Sequence, residues 1–177
     1  MAAKRQDYRE GDWFAVPLRD GYGGYAIGKI ARMGKKRGTF LGYFFGPRIY
    51  EFPDSNQLED RKFEDATIIA NCSDAGLENS EWTVLVRPAI WNRKAWPMVL
   101  FGQVTPGYDE YPDIGYVSQY DEDDLFNCLA RWRVSPEEAM KYPKNRFSGD
   151  VAMVHHLEQL LPVAPAADEQ APPSRRE

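Results

Sequence analysis

The sequence predicts an α+β fold: one domain over residues 9–162, formed by a strongly bent antiparallel β-sheet with one or two short helices on its rim. Three observations predict it. The first third is a meander of aromatic and β-branched segments punctuated by glycine clusters, further short apolar segments follow between acidic loops, and one helix start is clearly capped. The 177 residues suit a single domain with a full-sized core, and 43% hydrophobic content with 14% aromatics suits an ordered chain.

The meander opens with WFAVPL (13–18) and turns through RDGYGG (19–24). It continues as YAIGKIARM (25–33), passes a basic tip GKKRG (34–38), and returns as TFLGYFFG (39–46). Tight turns between aromatic-rich strands of this length give a strongly twisted sheet, which we read as an SH3-like half-barrel at the centre of about six to eight strands. Residues 47–65 show no period and read as a surface connection. ATIIANCS (66–73), WTVLVRP (82–88), residues 98–104 and IGYVSQY (114–120) read as strands. SPEEAMKYP (135–143) reads as a helix, with Ser135 as N-cap, Pro136 at N1, Glu138 completing a capping box and Pro143 as the stop. In 149–162, Val151, Met153, His155 and Leu157 alternate while Val151, Val154, Leu157 and Leu161 suit a helix; the reading favours a closing strand near 150–157. The Pro/Ala-rich tail 163–177 reads as disordered.

The net charge of −5 divides unevenly. Residues 1–48 carry ten Lys/Arg against four Asp/Glu, and 49–177 carry twelve against twenty-three. Residues 51–81 hold nine acids and two bases, and residues 109–124 hold seven acids and no base. This balance disfavours direct nucleic-acid binding, which draws on released counterions, and favours basic protein surfaces. No apolar run approaches a bilayer span and the start lacks an apolar signal core, so no membrane association and a cytoplasmic location are expected. Cys72 and Cys128 form no CxxC and read as buried, reduced thiols.

YDEDDLF (120–126) concentrates the acid. Its spacing is not that of a calcium loop, and adjacent carboxylates on a strand point to opposite faces. The structural reading is that Asp121 to Asp124 end a strand and enter a helical turn, where the dipole favours negative charge. A solvated acidic edge of that kind also remains open to a basic partner. His155 and His156 are neighbours and would diverge on a strand, one inward and one outward. No GxSxG elbow is present, and GYGG (21–24) lacks the spacing and lysine of a phosphate loop. No catalytic residue, metal ligand or cofactor site is read from these residues. Among the many aromatics, Tyr43 and Phe44 beside Arg48 are candidates for outward-facing anchors, because Trp, Tyr and Arg dominate interface hot spots.

GDWFAVPLRDGYGGYAIGKIAR (11–32), LGYFFGPR (41–48), WPMVLFG (96–102) and YDEDDL (120–125) together resemble the immunity protein 26 family, over roughly residues 9–160. The resemblance implies a small cytoplasmic α+β protein of bacterial polymorphic toxin systems that binds and neutralises a cognate toxin domain by stoichiometric occlusion. Part of that family also carries a phosphotriesterase label, so a hydrolase of organophosphate-type esters is the alternative; this chain offers no metal cluster to support it. A toxin with a basic surface would meet Asp121, Glu122, Asp123 and Asp124, with Tyr120 alongside and Asp109, Glu110 and Asp113 from the preceding loop. With no base among residues 109–124, these carboxylates are expected to repel one another, so that neutralising Asp121, Glu122 and Asp123 leaves folding intact and slows association.

Overall fold

The computed structural model, which describes residues 6–35, 38–108, 110–161 and 163, sets the N-terminal meander in the middle of a six-stranded sheet. β1 (Trp13–Pro17), β2 (Tyr25–Met33) and β3 (Thr39–Ile49) are successive antiparallel neighbours. β4 (Ile68–Ser73) extends the sheet beyond β3, and β5 (Thr83–Val86) lies on the far side of β1. A second sheet holds β6 (Phe101–Thr105), β7 (Ile114–Tyr120) and β8 (Cys128–Val134) in that order. The two-residue strand β9 (Phe147–Ser148) pairs parallel with Asn71 and Cys72 and completes the first sheet. The α+β class therefore holds, with nine strands divided between two sheets.

Both faces of the first sheet are buried, which is why its strands read as continuous apolar runs. Phe14, Val16, Ala26, Phe40, Phe44 and Cys72 fill one face, beneath Met153, Val154 and Leu157 of α4 (Asp150–Leu160) and Leu77 of α2 (Ala75–Glu78). Trp13, Ile27, Leu41, Tyr43 and Phe45 fill the other. That face is covered by Trp96, by Leu58 of α1 (Ser55–Glu59), by Phe101 of the second sheet and by Leu125 of the segment joining β7 to β8. Aromatic edges meet faces throughout, as where Trp96 stands edge-on to Trp13, Tyr43 and Phe45.

Several local expectations are corrected. Residues 150–160 form α4, not a strand, because Met153, Val154, Leu157 and Leu161 make one buried stripe at helical spacing while Val151 is 68% exposed. The 47–65 connection contains α1, started by an Asp54–Gln57 capping box and pinned by buried Leu58. Ser135 caps α3 (Pro136–Ala139) through the Glu138 N–H, but the Glu138 carboxylate turns to Lys141 and Tyr142 rather than back to the cap. α3 lies directly on the second sheet. A Cβ at Gly102 would stand 1.9 Å from the Ala139 oxygen, and one at Gly115 would stand 2.3 Å from the Ser135 oxygen, so glycine is what admits the helix. β8 was not anticipated, because its residues are exposed on both faces and show no apolar alternation. Cys128 lies on this strand, exposed, whereas Cys72 is buried as expected. The tail from residue 164 lies outside the described residues.

Candidate protein-partner surface

YDEDDLF joins β7 to β8, so the acidic run is a hairpin loop and not a helix entry. Its carboxylates build the turn. Asp121 Oδ1 accepts the Asp123 N–H at 2.8 Å, and Asp124 Oδ1 accepts the Phe126 N–H at 3.2 Å. These are the side-chain-to-backbone bonds for which Asp is favoured in turns. The first of them holds the Asp121 carboxyl below the usual carboxylate range. The Asp121 N–H also reaches the Asn127 carbonyl at 3.0 Å and closes the loop. Leu125, 2% exposed, anchors the loop in the core beside Phe101 and Trp96.

The loop is held from outside its own stretch of chain. Arg32 of β2 is 1% exposed, and its guanidinium donates to the carbonyls of Ala31, Trp96 and Arg93. Its remaining partner is Glu122 Oε2, at 2.9 Å from Nη2 and 3.2 Å from Nε. Arg93 supplies a second clamp, donating to Asp123 Oδ1 at 2.7 Å, to the Glu122 carbonyl at 2.9 Å and to Glu10 Oε1 at 3.3 Å. The expectation of uncompensated carboxylates is therefore corrected for Glu122 and Asp123: their bases come from positions 32 and 93, far away in sequence.

The other expected site residues separate into three places. Tyr120 is half-buried beside Phe101, and its hydroxyl donates to Asn145 Oδ1 at 3.0 Å. Asp113 precedes β7 whereas Asp121 follows it, so the two acidic segments sit at opposite ends of a seven-residue strand, about 20 Å apart. Asp113 Oδ1 accepts the Gly107 N–H, Glu110 is exposed, and Asp109 lies outside the described residues. Tyr43 and Phe44 are fully buried and offer no surface to a partner, which corrects the reading of them as outward anchors. The Tyr43 hydroxyl donates to the Pro97 carbonyl, and burial pushes it above the ordinary tyrosine value. Arg48, 7% exposed, is an internal tie, donating to Asp20, the Gly23 carbonyl and the Leu161 carbonyl.

What the sequence missed is apolar. Phe126 at the loop is 62% exposed, Leu129 on β8 is 56% exposed, and Phe147 on β9 is 50% exposed. The rings of Phe126 and Phe147 lie 6.1 Å apart. Phe126 and Phe147 thus make an exposed aromatic pair beside the carboxylates of the loop, the kind of residue in which interface anchors are found. The signal was available in the motif, where one of the two apolar residues ending YDEDDLF is buried and the other is not. Among the described residues, β8 also has no strand on its outer edge. Among them no three of His, Cys, Asp and Glu are grouped to hold a metal ion, and no helix is long and apolar enough to cross a membrane.

A family model described as Immunity protein 26 matches residues 9–109, more than half of the chain. The match covers β1 to β6 and stops before the β7–β8 hairpin. No curated protein matches the chain, and no solved structure matches it.

Proposed function

The chain belongs to the immunity protein 26 family, and from that premise we propose that it binds and neutralises a cognate bacterial toxin domain by one-to-one occlusion, with the β7–β8 hairpin in the contact. The toxin surface complementary to this loop is basic. The observation that carries the reading of the site is the clamped loop. Arg32 and Arg93 hold Glu122 and Asp123 in place, so little ordering remains to be done when a partner arrives, and pre-organisation of this kind is a main determinant of affinity. Phe126, Leu129 and Phe147 would supply the desolvated centre of the contact. The carboxylates around them would steer a basic partner and speed association, an effect that weakens with salt.

The test is to search the neighbouring reading frames for a toxin domain and to co-express it with this chain. Protection of the cell, and recovery of an equimolar complex by size exclusion, are the expected results. Phe126→Ser with Asp123→Lys should abolish protection while the variant remains folded. Unchanged protection by that variant would move the contact away from the hairpin. Catalytic turnover of a phosphotriester by the purified chain, at a rate that survives the same substitutions, would replace occlusion with hydrolysis.

A further inference from the structure

We propose a second docking site of opposite charge, a groove on the open edge of β4 that takes an extended peptide segment carrying acidic side chains. The groove arises from a fork in the chain. β9 pairs with β4 only at Asn71 and Cys72, and just before it the chain leaves β4 to bridge the other sheet, Lys144 lying against Gly102. The Gly102 N–H donates to the Pro143 carbonyl and the Asn145 N–H to the Gly102 carbonyl, which fixes that departure. Ile68 to Ala70 are thereby left, among the described residues, with β3 on one side and no strand on the other. The space between is a cavity of about 550 Å³, bordered by this strand edge, the 140–146 segment and the end of α4.

Two features select the occupant. Apolar Ile68, Ile69, Pro143 and Leu160 are among the lining residues, and the backbone edge of Ile68–Ala70 is available for strand addition. The walls carry Lys141, Lys144, Arg146 and His156, with no carboxylate among the lining residues. Lys141 is matched by Glu138, but Lys144 and Arg146 have no acidic partner among the described residues; the Arg146 guanidinium meets the His156 ring. His156 reports the imbalance, since burial and then Arg146 and Lys144 lower its proton affinity. A partly apolar slot with a short hydrogen-bonding edge and unmatched cations fits an extended segment with acidic side chains on one face, because alternate residues of a strand share a face. The groove and the hairpin contact share no lining residue, although Arg146 precedes Phe147 in the chain, and failure of the groove would leave the toxin-binding reading untouched.

The experiment uses the full chain, ¹⁵N-labelled, titrated with a nine-residue peptide alternating valine and glutamate and with its valine–lysine counterpart. The expected result is that the glutamate peptide shifts the amides of Ile68 to Ala70 and of Lys144 to Arg146, and that the lysine peptide does not. Lys144→Ser with Arg146→Ser should weaken binding at least tenfold, with an unchanged urea midpoint because both side chains are exposed. If the glutamate peptide leaves the amides of Ile68 to Ala70 unmoved, the docking site is refuted. If inorganic phosphate displaces the peptide and shifts the same amides equally, the groove holds free anions and not a strand, which also overturns the proposal.

Discussion

Removing the Glu122 carboxylate is the sharpest test of how the acidic hairpin is built. Glu122→Ala leaves the Arg32 guanidinium, 1% exposed, with three carbonyl acceptors and no counter-charge. Breaking a fully buried ion pair costs about 3–5 kcal/mol. A hydrogen bond to a charged group contributes about 1.5–3 kcal/mol. Glu122 is the wet half of this pair, with its side chain 54% exposed, so water enters the vacated volume and part of the loss is recovered. The expected destabilisation is therefore about 2 kcal/mol, the lower part of the range set by those two figures. Glu122→Gln retains one acceptor oxygen and should lose about half as much.

The assay is urea unfolding of the parent, Glu122→Ala, Arg32→Met and the double variant, read as a cycle. A coupling of about 1–2 kcal/mol is expected between positions 32 and 122. A Glu122→Ala variant within about 0.5 kcal/mol of the parent, with no coupling, would refute the reasoning. Arg32 would then be held by carbonyls alone, and the hairpin would not be fixed to the first sheet. The same reasoning reverses the expectation drawn from sequence for the triple neutralisation of Asp121, Glu122 and Asp123. That variant should lose stability as well as association rate, so its binding must be measured per folded molecule.

Phe126→Ser should lower stability by no more than about 1 kcal/mol, the value of an exposed aromatic pair, while weakening toxin binding at least tenfold by titration calorimetry. Gly115→Ala should destabilise by about 3 kcal/mol or more in thermal unfolding, because its Cβ would meet the Ser135 carbonyl and push α3 off the sheet. Burial lowers Lys29 from the ordinary value of 10.5 to about 8, so between those values the unfolded chain binds more protons and stability rises with pH. The buried Cys72 thiol opposes this at high pH, so the readout is the difference from Lys29→Met: the variant's relative stability should fall by about 2.5 kcal/mol between pH 7 and 10. A pH-independent difference would mean that Lys29 titrates alike in both states.

The meander was legible because its signals are local: glycine clusters, aromatic runs and short spacing specify β1 to β3 with no knowledge of what packs on them. The same locality explains the failure at 149–162. Alternation at Val151, Met153, His155 and Leu157 competed with a helical stripe, and the stripe won because it lets Met153, Val154 and Leu157 pack together on one sheet face. It also explains why Tyr43, Phe44 and Arg48 were misread. An aromatic-rich strand beside an arginine looks like an interface until both faces of the sheet are known to be covered, and Arg48 is consumed by Asp20 and the Leu161 carbonyl at the end of α4.

The acidic run shows what composition cannot carry. Counting charges over residues 109–124 finds no base, and that count is correct along the chain but wrong in space, since β2 and the 93–95 turn deliver Arg32 and Arg93 to the loop. Self-repulsion was therefore overestimated and rigidity underestimated. The two corrections act together on the function. Glu122 is largely committed to the fold, and Asp121 and Asp124 are committed to the turn, which leaves Phe126 and the outward side of Asp123 as the groups most available to a partner. A loop whose charges mostly hold its own shape gains its binding energy from the apolar residues it displays, with charge setting the rate of encounter more than the strength of the complex. High salt should accordingly slow association of the toxin far more than it speeds dissociation, whereas Phe126→Ser should do the reverse. If instead salt acted mainly on dissociation and Phe126→Ser on neither rate, the carboxylates would be the anchors and the apolar centre would be incidental.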